Sequence, residues 1–149
     1  MDNRSAGLQE TGSAAYVLDE QVGFILRQVQ QRHATIFVSH FASDLTPTQW
    51  AVIAKLAEIG EVSQNLLGRH TAMDVATIKG VVERLVKRGL VRTQPDPVDR
   101  RRLSISLSPA GRDCFDASVA NARTVTEETL QPLDAQERQL LLGLLEKIR

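Results

Sequence analysis

The chain has 149 residues, 42% hydrophobic and 24% charged, enough to fill one core in a compact domain and too few for a large multidomain enzyme. Eighteen basic residues balance eighteen acidic ones, which excludes both an acidic disordered tail and a uniformly basic nucleic-acid coat. The single cysteine, Cys114, cannot close an internal disulfide, so a reducing compartment is expected.

The charge is unevenly spread. Residues 69–102 hold nine basic and four acidic residues, a net charge of +5, whereas the segments on either side are both net acidic. A basic block inside an otherwise acidic chain is the pattern of a surface that meets phosphates, although an ordinary solvated helix face would carry similar charges.

In chain order, residues from Met1 to Ala14 are polar and lack the apolar stretch of a signal peptide, so a frayed arm is expected over 1–15. No run approaches the roughly 18 apolar residues of a membrane span, and a soluble, cytoplasmic protein without membrane association is the expectation. Apolar residues at helical spacing (Leu18, Val22, Ile25, Leu26, Val29, Ile36) predict one long helix from Tyr16 to about Phe41. Thr46-Pro47-Thr48-Gln49 reads as a capping box that starts a second helix, with Trp50, Ile53, Leu56 and Ala57 as its buried stripe and Gly60 as its stop.

Ser63 can cap a short third helix to His70. Asp74 can cap a fourth, whose inward face is predicted to be Val75, Ile78, Val82 and Leu85 and whose end is marked by Lys87, Arg88 and Gly89. Two extended stretches follow, Leu90 to Gln94 and Leu103 to Leu107, joined by the turn-forming run from Pro95 to Arg102. Ser108-Pro109 restarts a helix to about Leu130. Pro132 breaks it, and Asp134 with Glu137 caps a last, leucine-rich helix.

A short helix, a turn, a second helix with one polar face and then a basic hairpin make a winged helix-turn-helix. Opposite the buried stripe of the fourth helix lie Ala76, Thr77, Lys79, Gly80, Arg84 and Lys87. Small residues let a helix approach base edges, Thr can meet a thymine methyl or a phosphate, and Lys or Arg reaches guanine or backbone. Arg100, Arg101 and Arg102 repel one another at a turn tip, a poor choice for a purely structural hairpin, yet an arginine gains from the concentrated negative potential of a narrow minor groove. Asp99 beside them can hold one arginine in a fixed pose.

The runs Leu45-Thr46-Pro47-Thr48-Gln49-Trp50, Val81 to Val91, Asp96-Pro97-Val98-Asp99-Arg100-Arg101 and Leu107-Ser108-Pro109-Ala110-Gly111 resemble the MarR family of bacterial transcription regulators, from about Tyr16 to the end. The resemblance implies a mainly α fold with a small β-hairpin wing, in which a winged helix-turn-helix joins a helical dimerisation domain. Residues 16–44 would form a dimerisation helix, 45–108 the DNA-binding lobe and 109–149 the C-terminal dimerisation helices. A homodimer would then set two winged modules on pseudo-palindromic double-stranded DNA. Arg101 resembles the family's minor-groove arginine with Asp99 as its positioning partner. Thr77 and Lys79 match positions that face the major groove, and Arg84 matches a phosphate contact. Ser63, Gly80 and Arg100 complete the expected DNA-facing set.

Regulators of this kind commonly release DNA when a small aromatic acid binds between the dimerisation helices and the DNA-binding lobe. On the first helix, His33 and His40 interrupt the stripe Val22, Leu26, Val29 and Ile36, while Arg27 shares the adjacent stripe with Phe37. A cation or imidazole amid Phe37 and Trp50 suits an aromatic carboxylate, whose ring stacks while its charge is paired. The expected ligand set is Arg27, His33, Phe37 and Trp50, with a small aromatic carboxylate or its CoA thioester as effector. Packing histidines and an intersubunit Arg27 ion pair would give the same pattern. The segment Gln31 to Phe37 is similar to regulators of aromatic-acid catabolism.

Three competing readings remain at this level. An enzyme lacks support, because no nucleophile and base pair and no glycine-rich phosphate loop can be assembled. His33 and His40 lie two turns apart, about 10 Å along a helix, so neither a metal nor a cofactor is expected. A redox-sensing repressor would need Cys114 to be reactive, and its place in the fifth helix fits a core filler better. A helical interaction module that never touches DNA would be indifferent to charge changes at the wing.

Overall fold

The computed structural model describes residues 14–42 and 44–149. The expected arm therefore lies outside the described residues except at Ala14 and Ala15, which are exposed coil. Six α-helices and three short strands follow in the order α1 (Val22–Phe41), α2 (Pro47–Ile59), β1 (Val62–Ser63), α3 (Gln64–His70), α4 (Val75–Lys87), β2 (Val91–Pro95), β3 (Leu103–Leu107), α5 (Pro109–Leu130) and α6 (Ala135–Ile148). The fold is mainly α with a β-hairpin wing, as expected.

Local chemistry sets most boundaries. Thr46 and Gln49 form the reciprocal capping box at α2, and Asp134 and Glu137 form the one at α6. Ser63, Asp74 and Ser108 each accept a backbone N–H from the residue three further on, at 3.3, 2.7 and 3.0 Å. Ser108 also donates to the Gly89 carbonyl at 2.6 Å, which ties the start of α5 to the end of α4. Gly111 is required there, since a Cβ at that position would lie 1.9 Å from the Leu90 carbonyl oxygen.

The core gathers Ile53 and Leu56 of α2, Leu67 of α3, Ile78, Val82 and Leu85 of α4, and Ile105 of β3, all at most 1% exposed. Phe37 and Phe41 enter from α1 and Val125 from α5. The wing is antiparallel, with Val91 opposite Leu107 and Pro95 opposite Leu103.

Four sequence expectations need correction. The first helix is not continuous from Tyr16: a 3-10 turn at Leu18–Glu20 ends at Gln21, which is extended, and α1 begins after it. The α1 stripe of Val22, Leu26 and Val29 is exposed, because α1 turns the face bearing Phe37 and Phe41 to this chain's own core. On α4, Val75 in the first turn is 70% exposed, and Val81 takes the inward place. The hairpin is joined by a third strand, β1, which pairs with β3 through Val62 and Ser63. Two residues are too few to show an alternating pattern.

Candidate nucleic-acid interface and effector cavity

α4 carries the polar face that the sequence predicts. Asp74 caps its first turn, and the Thr77 backbone N–H holds the Asp74 carboxyl below its usual range, so a fixed negative charge compensates the positive helix end. That leaves the Thr77 side chain, Lys79, Arg84 and Lys87 exposed on the outer side. Gly80 is half-buried, and the Arg84 guanidinium lies alongside it, with Nη1 at ordinary contact distance, 3.6 Å, from where a Cβ would stand.

The wing tip is held by hydrogen bonds within its own loop. Asp96 accepts the backbone N–H groups of Val98 and Asp99 at 2.8 and 3.1 Å, and these bonds hold its carboxyl below the ordinary value. Asp96 N–H in turn donates to the Arg102 carbonyl at 2.8 Å and closes the loop. Asp99 Oδ1 accepts both the backbone N–H and the Nε–H of Arg101, at 3.1 and 3.3 Å. Asp99 is thus the partner of Arg101, and the guanidinium still projects with 93% of its side chain exposed. Arg102 approaches the other oxygen of Asp99 at 3.7 Å, while Arg100 is exposed without an ion pair among the described residues.

Helix and wing form one surface. A cleft of about 320 Å³ is lined by Lys79 and Lys87 of α4 together with Gln64, Thr93 and Leu103, and a second, of about 150 Å³, by Ser63, Gln64, Asn65, Arg101, Arg102 and Leu103. Gln64 and Leu103 belong to both, so a continuous path runs from the recognition helix past the first turn of α3 to the wing arginines. Ser63 caps α3 and pairs with Ser104, so its hydroxyl also serves the local fold. Sequence reasoning missed Gln64 and Asn65 as part of this surface, while Arg102 belongs to the arginine run that it singled out. The polar first turn of α3 was the available signal.

A third cavity, of about 170 Å³, lies between α1, α2 and α5 and is lined by His33, Phe37, Pro47, Trp50, Ala122, Val125 and Thr126. It brings together three of the four expected ligand residues. Arg27 does not line it and is exposed on α1. The cavity's two rings belong to a run of aromatic contacts: Phe37 stacks on Phe41 at 4.2 Å, Phe41 meets Trp50 at 5.4 Å, and Trp50 stacks on Phe115 at 5.6 Å. Pro47, Ala122, Val125 and Thr126 were not legible as lining residues, because only the packing of α5 on α1 and α2 brings them there.

The polar side of the cavity has a defined proton. Thr129 Oγ1 donates its hydrogen to the Val125 carbonyl at 2.8 Å, so it accepts from His33 Nδ1–H at 2.8 Å. His33 Nε2 is then left without a partner among the described residues, on a side chain that borders the cavity. His40, expected on the same stripe, pairs instead with Glu128 at 2.7 Å, and Arg32 donates to the carbonyls of Glu128 and Thr129 at 2.9 and 2.7 Å. These bonds clasp the end of α5 to α1.

Comparison with known proteins agrees with this geometry. Residues 43–102, the segment from the start of α2 to the wing tip, match the family model described as the MarR family. The chain is 41% identical over 134 residues to the HTH-type transcriptional repressor NicR of Pseudomonas putida, across 89% of this chain and 85% of that one. A probable transcriptional regulator from Pseudomonas aeruginosa superposes with a TM-score of 0.86 at 54% identity, covering 89% of this chain and all of the other. BpsR of Bordetella bronchiseptica, whose DNA binding is regulated by 6-hydroxynicotinic acid, superposes with a TM-score of 0.88 at 38% identity, over 91% and 97% of the two chains. These relatives are transcription regulators rather than enzymes, and no helix among the described residues is long and apolar enough to cross a membrane. The chain belongs to the MarR family of DNA-binding, winged helix-turn-helix transcription regulators.

Proposed function

We propose that the chain is a homodimeric repressor that binds pseudo-palindromic operator DNA and leaves it when a small hydroxylated aromatic carboxylate occupies the cavity between α1, α2 and α5. The observation that carries this reading is the pairing, in one cavity, of the Phe37 and Trp50 rings with a His33 imidazole whose Nε2 is uncommitted. A planar acid would lie against the rings. Its carboxylate would favour the protonated imidazole, with Nε2–H donating to it while Nδ1–H stays on Thr129.

The size of the cavity narrows the effector class. About 170 Å³ is below the roughly 300–1,000 Å³ of sites for drug-sized ligands. A single-ring acid suits it better than a CoA thioester. The relatives argue the same way, since BpsR responds to 6-hydroxynicotinic acid, and a hydroxypyridine carboxylate is therefore the first compound to test.

The apolar surface that α1 and α6 leave uncovered supports the dimer. Residues 16–44 and 109–149 would interlock two copies, and 45–108 would form each DNA-binding lobe. Val22, Leu26 and Val29 on α1 and Leu140, Leu142, Leu144 and Ile148 on α6 are 43–68% exposed. An apolar area of this kind is stable in water only when covered. On DNA, Thr77, Lys79, Gly80 and Arg84 would face the major groove and its phosphates, with Ser63 beside them. Arg100 and Arg101 would reach the minor groove, with Asp99 aiming Arg101. Acid binding would select a dimer whose recognition helices no longer match successive major grooves.

Fluorescence anisotropy on a labelled duplex from upstream of the protein's own gene tests the reading. Tight, salt-sensitive binding that 6-hydroxynicotinate reverses, together with quenching of Trp50, the chain's single tryptophan, is the expected result. His33→Ala should keep operator affinity and lose the response to the acid. Binding that no aromatic acid reverses would remove the effector part of the proposal.

A further inference from the structure

Ile105 and Val91 seat the inner half of the wing in the core, but few hydrogen bonds join its outer half to the rest of the lobe. β1 contributes only the pairs Val62 with Ile105 and Ser63 with Ser104. One side chain reinforces that joint. Glu61, in the connector between α2 and β1, accepts with Oε1 from the Ser104 hydroxyl at 2.6 Å and from Gln94 Nε2 at 2.8 Å. Ser104 and Gln94 face each other across the hairpin, one pair before its last rung at Pro95 and Leu103. A single oxygen therefore ties both wing strands to the helix-turn-helix, next to the tip that carries Arg101.

The chemistry favours a positioning role over a solubilising one. A carboxylate in the lobe that meets phosphates works against binding by charge alone, so it requires a geometric reason to be there. Ser104 is 6% exposed, and Glu61 is its hydroxyl's only side-chain partner among the described residues. The two donors also hold the Glu61 carboxyl below its usual range, so it stays ionised and the bonds remain charge-assisted.

We infer that Glu61 is the positioning residue that fixes the wing against the helix-turn-helix body and thereby sets where Arg101 enters the groove. This inference rests on the DNA-binding role of the wing. Glu61 touches no DNA in it and acts through the hairpin.

The test separates geometry from charge. A duplex selected by the parent protein from a random pool serves as probe, and Glu61→Ala and Glu61→Gln are compared by anisotropy and hydroxyl-radical footprinting. Glutamine keeps an acceptor at Oε1 and alanine does not, while both remove the charge. The expected result is affinity for Glu61→Gln within about twofold of the parent, about tenfold weaker binding for Glu61→Ala, and loss in Glu61→Ala of the minor-groove protection at the outer flanks alone. On an Arg101→Ala background Glu61→Ala should change affinity by less than about twofold, because the arginine it aims is gone. Gln94→Ala, at an exposed position, should weaken binding in the same direction and guards against a folding defect in Glu61→Ala.

Equal affinities for the alanine and glutamine variants would overturn the inference, as would an unchanged alanine effect on the Arg101→Ala background. A parent protein that selects no duplex would overturn both this inference and the DNA-binding role beneath it, and is distinguishable from either.

Discussion

The lobe from α2 to β3 and the outer helices α1, α5 and α6 treat apolar residues in opposite ways. Among the described residues that lobe supplies eleven of the fifteen buried core side chains, Leu45 just before it a twelfth, α1 and α5 the other three, and α6 none. The outer helices instead leave Leu26, Val29, Leu142 and Ile148 in water, and Leu26 shares a groove with Leu142, Leu145 and Ile148. The lobe fills most of its own core, which Phe37, Phe41 and Val125 complete, whereas the outer helices leave an apolar surface uncovered.

Removing a core side chain should break this contrast most severely. Leu85 is fully buried on α4, and Leu85→Ala should lower the unfolding free energy by about 2–5 kcal/mol, read by urea denaturation against the parent at the same protein concentration. Leu26→Asp tests the other half. A charge on the uncovered face should weaken self-association on the order of a hundredfold, seen by sedimentation, while the lobe stays folded and the Trp50 spectrum stays native. A dimer unaffected by this change would show that α1 and α6 are not the association surface.

A finer comparison uses one chemistry in both regions. Asp74 caps α4 inside the lobe and Asp134 caps α6 outside it. Each change to alanine should cost about 1 kcal/mol, but Asp74→Ala should also weaken operator binding, whereas Asp134→Ala should act through self-association alone. The smallest effect is that of acid. Backbone N–H groups lower the carboxyls of Asp74, Asp96 and Asp134 in the folded state, so their stabilisation is complete above the unfolded value of about 3.9 and is lost as pH falls through the folded values. Melting temperatures should therefore be flat from pH 7 to about 5 and decline below about 4, with a shallower decline in Asp74→Asn.

What the sequence makes legible follows the range of the interaction. Caps at Thr46, Ser63, Asp74, Ser108 and Asp134 act over three residues, and each is where the residues predict it. The Asp99 and Arg101 pairing is likewise local. The face that α1 turns inward was not legible, since an apolar stripe marks burial without saying whether the same chain or another one covers it. His33 and Thr129 are 96 residues apart, and no spacing rule connects them. Of the expected ligand residues, Trp50 and Phe37 line the cavity with His33, while Arg27, one stripe away from His33, does not.

The close approach of Gly111 to the Leu90 carbonyl has a mechanical meaning. It seats the first turn of α5 directly on the lobe, so that contact is the natural pivot for any tilt of the helix. α5 has 22 residues and extends about 33 Å from this fulcrum. A tilt of about 5° would carry its far end, where His33, His40 and Arg32 hold Glu128 and Thr129, through about 3 Å, comparable to the width of a strand rise. On the proposed reading, a ring-sized acid at His33 and Thr126 would press on α5 near the tip of this lever and so act with mechanical advantage over its joint with the lobe.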